Sequence, residues 1–424
     1  MKSSTPIRFA GDVSIDKAII ITPSGFYQDI AAQVINVQIY EDIFSPFITG
    51  SLIVKESLDL VNLFPFIGEE FLDIQISTPT LENKKINGRF YIYKLTDREL
   101  LGDRSVVYQL HFISQEAVVD LNKKLSKVFT GKVSDLVTNL VNGTVDGLET
   151  KKKVYIEPTS NSIKYISNFW SPVKNLSYLT QHALNDNKTP NYVFFENRDG
   201  FYFISLDSLY TTGVHQEFTY DRYTRDQLSD GKDVRNITQD YKRILEIKIP
   251  TGYDYIDRLR SGMLASRLIS YDLTKKTYIN KNYNMFQRFD KQKHLNKHAI
   301  NSNNAIFRNS SVIMNIPRYY NNFSGFGDVT NYTYLQERVS LMKLAEANKL
   351  EITVPGRVDY TVGQKVAIVL NKIEPITKEE KDITDKMFSG YYLIAAINHY
   401  VDRDKHECNI ELIKDSSQIS MNRK

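Results

Sequence analysis

Few residues in this chain have both the types and the spacing that chemistry requires. His294 and His298 stand four apart, as on a metal-binding helix face, but Leu295 occupies the place of the glutamate that would follow the first histidine. They lie in a Lys-rich polar stretch and read as solvated surface. His399 and His406 fall in the last hairpin beside Asp402, Arg403 and Asp404, where ordinary surface charge at a turn is the simpler reading. The seven histidines therefore offer no convergent metal set. Glu69 and Glu70 could in principle pair as acid and base, yet adjacent strand residues point to opposite faces. Ser324-Gly325-Phe326-Gly327-Asp328 opens like a dinucleotide loop but lacks the third glycine and the strand-to-helix setting. Cys408, the single cysteine, sits mid-strand and reads as a small buried hydrophobe. The segment from Lys275 to His298 is basic and interleaved with Tyr278, Tyr283, Phe286 and Phe289. That composition suits a nucleic-acid surface, or a loop docked on an acidic protein neighbour, which is the favoured reading. The expectation is thus of no catalytic residue, no cofactor and no metal.

The bulk numbers agree with a folded soluble protein of about two to four domains. The chain has 424 residues, with 42% hydrophobic and 25% charged. Lys+Arg number 54 against Asp+Glu 50, a balance too even to argue for bulk nucleic-acid or membrane binding. One cysteine allows no intrachain disulfide and fits a reducing compartment. The polar start and the brief apolar run Ala18–Ile21 give neither a signal segment nor a membrane span. The protein is expected to be made and folded in the cytoplasm.

Stepping from residues to elements, residues 30–114 alternate as strands do: Ile35, Val37 and Ile39; Leu72, Ile74 and Ile76; Tyr108, Leu110 and Phe112. A short helical stretch is expected from Leu58 to Phe64. Helical spacing appears over 130–141, and again after the cap Ser171-Pro172. A hairpin follows, turning at Asn197-Arg198-Asp199-Gly200. An amphipathic helix around Leu335–Ala347 leads into the strand Leu350–Val354.

Three patterns recur in order. Ile35-Asn36-Val37 precedes Gly50 by thirteen residues, as Ile247-Lys248-Ile249 precedes Gly262. The run from Gly68 to Ile74 is echoed from Gly363 to Ile368. Gly88 stands twenty-two residues before Leu110, as Gly390 does before Leu412. One β-rich unit used twice explains all three, with these glycines as its markers. The domain plan is then a first module over 1–114 and an α/β connecting unit over 115–240. The second module covers 241–271 and 349–415, with a polar, loop-rich insertion over 272–348 and a frayed tail over 416–424.

Four further stretches stand out in order: Phe195–Phe203 leading to Ser205 and Leu209, then Gly262–Ile269 with Asp272, then Val354-Pro355-Gly356 before Gly363, and last Gly390–Ile394 running to Leu412. In these motifs and their order the chain resembles the central baseplate hub proteins of contractile-tailed phages of the T-even type, together with late-control-D tail proteins and the hub part of type VI secretion spikes. The resemblance implies a mainly β fold with α+β parts and two similar tube-like β-barrels per chain. It also implies a non-enzymatic homotrimer, whose six barrels form a pseudo-sixfold ring. The implied partners are a hexameric tail tube, a trimeric spike carried by a separate protein, and other baseplate proteins. The implied place is the virion tail, assembled in the host cytoplasm, with DNA only passing through the channel during ejection. A tail-associated cell-wall hydrolase, or a nucleic-acid binder using 275–298, stands as the alternative.

Overall fold

A computed structural model describes residues 7–57, 66–79, 84–102, 104–220, 237–250, 253–273, 275–303, 311–317, 332–372, 384–403 and 405–421, with Leu60 and Leu81. The expected helix at 58–64 (Leu60 apart), the loop at 324–328 and most of the loop 371–389 lie outside the described residues. Among the described residues no helix is long and apolar enough to cross a membrane.

The first strands are β1 (Ser14–Ile21), β2 (Tyr27–Asp29), β3 (Val34–Asp42), β4 (Thr49–Glu56), β5 (Phe71–Ser77), β6 (Lys85–Leu101) and β7 (Ser105–Ser114). They pair in the order β3-β4-β7-β6-β5-β1-β2. Period-two alternation sets one face inward: Val37, Leu52, Leu72, Ile74, Ile92, Leu110 and Phe112 share one core. The sheet curls closed because residues 27–33 serve both ends. Ile30 N–H donates to Ala18 O at 2.8 Å, and Lys55 N–H of β4 donates to Gln33 O at 2.9 Å. Closure gives the strands at the two ends of the sheet a partner that a free sheet would lack.

The connecting unit contains α1 (Gln115–Asn122), β8 (Leu125–Lys132), α2 (Val133–Asn142), β9 (Val154–Ile156), β10 (Ser162–Trp170), α3 (Pro172–His182), β11 (Tyr192–Asn197), β12 (Gly200–Ser205) and α4 (Leu206–Tyr210). Leu136, Leu140, Tyr165, Leu176, Phe201 and Phe203 pack its own core. Ser171 caps α3 by accepting Lys174 N–H, with Pro172 in the first turn, as the sequence signal predicts.

The second barrel begins before the expected boundary at 241, because among the described residues β13 (Val214–Tyr220) pairs with its strands and not with the connecting unit; it also uses a short helix α5 (Ile237–Asp240) and β14 (Glu246–Lys248). The insertion follows with α6 (Tyr255–Arg260), β15 (Ala265–Asp272), β16 (Thr277–Asn284), β17 (His298–Ala299), β18 (Val312–Asn315) and α7 (Leu335–Ala345). Then come β19 (Asn348–Pro355), β20 (Lys365–Leu370), β21 (Gly390–Asp402), β22 (His406–Lys414) and β23 (Ser416–Ser417). Pairing runs β14-β19-β22-β21-β20-β13, which reproduces β3-β4-β7-β6-β5-β1 strand for strand. Even a bulge repeats: the register slips between Ile92 and Lys94 in β6 and between Ile394 and Ala396 in β21. Closure repeats too. Thr219 N–H donates to Lys242 O, Ile244 N–H to Thr219 O and Leu245 N–H to Thr353 O, at 2.8, 2.9 and 2.7 Å.

Several expectations need correction. Gly50 faces Phe112 in β7, and the residue facing the equivalent Leu412 is Leu350, so Leu350 and not Gly262 is its positional counterpart. Val37 lies opposite Leu52 as Ile247 lies opposite Ile352, which shifts the first pattern by two residues. Residues 265–272 pair, among the described residues, only with β16 and β18 in a separate sheet, so they belong to the insertion rather than to the second barrel. The insertion also has a core, built on Met263, Leu264, Ala265, Met285, Ile300 and Leu344. At the other end Ser416 and Ser417 are buried and pair with β17 instead of fraying.

Candidate assembly interface

The two barrels share one strand. The first half of β21 pairs with β20, and its second half pairs antiparallel with β3, from Ala396↔Asp42 to Asp402↔Asn36. The cores interlock across this seam. Val401 and Val358 pack into the first barrel's core, and Ile43 packs into the second's. Glu41 on β3 is buried and accepts from the Thr361 hydroxyl, from Val362 N–H at 3.2 Å and from Arg198 N–H at 3.2 Å. Burial pushes its carboxyl up to about 7, although these hydrogen bonds and the Arg198 charge pull the other way. Asp359 meets Arg357 at 2.6 Å, His215 at 3.4 Å and Lys84 of the first barrel at 3.8 Å. Burial raises this carboxyl, but the hydrogen bonds and charges of His215 and Arg357 prevail and hold it well below the usual range.

The β11–β12 turn drives into the same joint. Glu196 accepts from Ile48 N–H at 3.0 Å and from Lys152 Nζ at 2.5 Å, and Lys152 also reaches Glu116 at 2.7 Å. Asn197 Nδ2 donates to Val362 O at 3.5 Å, and the Arg198 guanidinium donates to Val358 O. Gly200 is required at this turn: its φ is +139°, and a Cβ there would sit 2.1 Å from Lys153 O. This stretch, the most characteristic in the sequence, is therefore the three-way joint of the molecule.

His399, His406 and Cys408 do converge, against the sequence expectation. All three are buried on one face of the β21–β22 hairpin. The reason is register. His399 lies directly opposite Cys408, and His406 precedes Cys408 by two, so alternation turns all three the same way. The hairpin spacing carries this signal once the turn fixes its register. Burial lowers both imidazoles and raises the Cys408 thiol.

The other candidates have structural work. His294 is half-buried, stacks on Phe289 with ring centroids 3.7 Å apart, and meets Asp415 at 2.6 Å, so it ties the insertion to the chain's last strands. His298 lies in β17 opposite Ser417. The Glu70 carboxylate accepts Ile67 and Gly68 N–H at 2.8 and 3.0 Å, holding a turn. Of the aromatics between Lys275 and His298, Phe289 is buried while Tyr283 and Phe286 pack on the insertion's core. Only Tyr278 among the four stands exposed, so the stacking platform that single strands need is missing there. Gly68 and Gly363 share a left-handed φ, +88° and +83°. Gly88 and Gly390 face Ile74 and Ile368 at matching registers. Gly262, at φ +78°, follows α6 in the insertion.

Among the described residues two strand edges remain open at equivalent places. The half of β6 beyond β5 corresponds to the half of β21 that β3 covers, and no described strand lies beside it on that side. Strand β14, the counterpart of β3, pairs among the described residues only with β19. Burial records the difference. Val401 is 0% exposed, whereas Leu100, which faces Val106 as Val401 faces His406, is 78% exposed. Leu101, Leu245 and Ile249 are also exposed along these edges.

No family profile and no curated protein matches the sequence. Solved structures do match. A tail protein from Neisseria meningitidis MC58 aligns with a TM-score of 0.56 at 12% identity, covering 94% of this chain and 96% of that one. The 43 kDa tail protein of prophage MuSo2 from Shewanella oneidensis gives 0.56 at 9% identity, covering 94% and 98%. The chain has the mainly β fold of these tail proteins.

Proposed function

We propose that this chain is a structural hub of a contractile-tail baseplate. Three copies close a ring of six barrels, which joins a sixfold tail tube to a threefold spike. The observation that carries the reading is the pair of open edges. Within one chain, β21 reaches across to β3 and inserts Val401 into the neighbouring core. The equivalent strand β6 offers Leu100 with nothing to insert into, and the equivalent strand β14 offers an unpaired edge. Joining β6 of one copy to β14 of the next repeats the intrachain seam between chains. The matched positions set Glu99 opposite Lys248 and Leu100 opposite Ile247. Such a contact is head-to-tail, so it generates a closed ring or an open helix. Barrels related by one sixth of a turn close it after three chains.

The continuous run β14-β19-β22-β21-β3-β4-β7-β6 then becomes one uninterrupted sheet around the ring. Its face turned away from the barrel cores carries Gln38, Ser51, Gln109, Asn398, Asn409 and Thr353, a polar wall suited to DNA passing through. The connecting unit and the insertion occur once per chain, so they mark alternate positions and supply the threefold side. The fold shared with tail proteins supports a place in the virion tail. A non-enzymatic role fits the buried carboxylates Glu41, Glu196 and Asp359, each of which is held by structural partners.

Leu100→Asp tests the reading by light scattering and negative-stain imaging. The parent chain is expected to give trimers and rings, alone or with its spike, and the variant folded monomers. A parent chain that stays monomeric with its spike present, or a variant that still forms rings through the same edge, would contradict it.

A further inference from the structure

The seam carries a second kind of site. We propose that His399 Nδ1, His406 Nε2 and Cys408 Sγ bind one zinc-class cation, which staples the β21–β22 hairpin at the junction of the two barrels. The three donor atoms form a tight triangle. Nδ1 of His399 is 3.0 Å from Nε2 of His406, and the sulfur is 3.4 Å from each nitrogen. Zinc bonds of about 2.0–2.1 Å to nitrogen and about 2.3 Å to sulfur at tetrahedral angles require edges of roughly 3.3 and 3.6 Å. The observed triangle lies within a few tenths of an ångström of that, so binding needs only a small expansion.

Hydrogen bonding alone accounts poorly for the arrangement. A neutral imidazole nitrogen is either donor or acceptor, while the Cys408 sulfur can act weakly as both. Closing all three edges by hydrogen bonds then makes one N–H serve two acceptors and one nitrogen lone pair accept twice. One cation at the centre instead uses all three lone pairs at once. The donor set also selects the ion. Two imidazoles and one sulfur, with no oxygen ligand in the cluster, disfavour magnesium, calcium and manganese and suit zinc. Neutral imidazoles ligate through a lone pair, and the sulfur ligates as the thiolate once the cation has displaced its proton.

The surroundings are built around these rings. A Cβ on Gly356 would lie 2.3 Å from the His406 ring, so glycine is what leaves it room. The His406 backbone is pinned on both sides: its N–H donates to Gly11 O at 2.8 Å, and its carbonyl accepts Gly356 N–H at 2.7 Å. Gly11 belongs to the segment leading into the first barrel, so the cluster ties that segment to the last hairpin. Binding is balanced by one proton: the cation replaces the thiol hydrogen, which leaves to solvent, and each imidazole gives a lone pair without losing a proton. Three protein ligands give a trigonal site, or a four-coordinate one with a small exogenous donor.

The site does not rest on the assembly reading, since all three ligands come from one chain. The test uses the full chain, purified without chelator from zinc-supplemented cells and weighed for metal by mass spectrometry. About one zinc per chain is expected, falling at least about tenfold in Cys408→Ser. Exchange of the parent protein with cobalt(II) is expected to give a sulfur-to-cobalt absorption band, which the serine variant loses. This second arm decides the matter even if the variant folds badly. A folded parent chain that carries less than about a tenth of a zinc per chain, and shows no such band after refolding with cobalt, would overturn the proposal.

Discussion

The two barrels of this chain have the same strand order, the same closure and the same bulge, yet one strand runs the other way. β1 is antiparallel to β5, and β13 is parallel to β20. The difference follows from what precedes each strand. β1 opens its barrel and turns through a tight hairpin into β2, whose first residues it pairs. β13 instead arrives from the connecting unit and needs a crossover before residues 242–245 can close beside it, because parallel neighbours cannot be joined by a hairpin. A barrel core therefore tolerates reversal of a strand at its closing edge. What it holds constant is the inner set of apolar side chains and the reach of one long strand toward the next barrel.

That comparison can be broken most severely at the seam. Val401→Asp places an unpaired charge in the first barrel's core and is expected to cost about 4 kcal/mol or more, read by denaturant unfolding. Leu100→Asp at the matching place on β6 is expected to leave chain stability within about 0.5 kcal/mol, because that side chain is exposed. The contrast between these two positions separates a filled joint from an open one.

Glu41 gives the next effect. Its folded value near 7 lies above the ordinary 4.5, so the folded chain holds a proton that the unfolded chain has released between these values. Its contribution is complete below about pH 4.5 and is lost as pH rises through about 7, a swing of about 3 kcal/mol. Glu41→Gln, which cannot titrate, is expected to flatten that part of the stability profile. A smaller effect is expected at Gly50→Ala, whose Cβ would meet Phe112 Cζ at 2.2 Å and Gln38 O at 2.4 Å. Overpacking there should cost about 1–3 kcal/mol. The matching place in the second barrel already holds Leu350, so the two cores fill one position with different partners' volumes.

These cases also indicate what the sequence made legible. Alternation revealed the strands, and the second repeat's strand and the start of the third match in register because turns and bulges fix them: Ile92 N–H donates to Glu70 O as Ile394 N–H donates to Gln364 O. The end of the third repeat is off by two, since Leu412 faces Ile394 as Phe112, not Leu110, faces Ile92. The first repeat misled because Gly50 is glycine for packing against Phe112, not for a turn, and nothing requires glycine at Leu350. The insertion's start was hidden because β14 is three residues long, while β15 alternates as any barrel strand would. The histidine and cysteine cluster was hidden because converging groups came from both arms of a hairpin whose exact pairing decides which face each takes. Glu41 and Arg198 carried no local signal, since their contacts join segments far apart in the chain.

The central claim is that the open edges of β6 and β14 meet between copies as β21 and β3 meet within one. Its most direct test is the solution mass of the purified chain by multi-angle light scattering, with its spike added if needed. The mass of three chains of 49.0 kDa is expected for the parent and of one chain for Leu100→Asp. A single-chain mass for the parent under both conditions would contradict it.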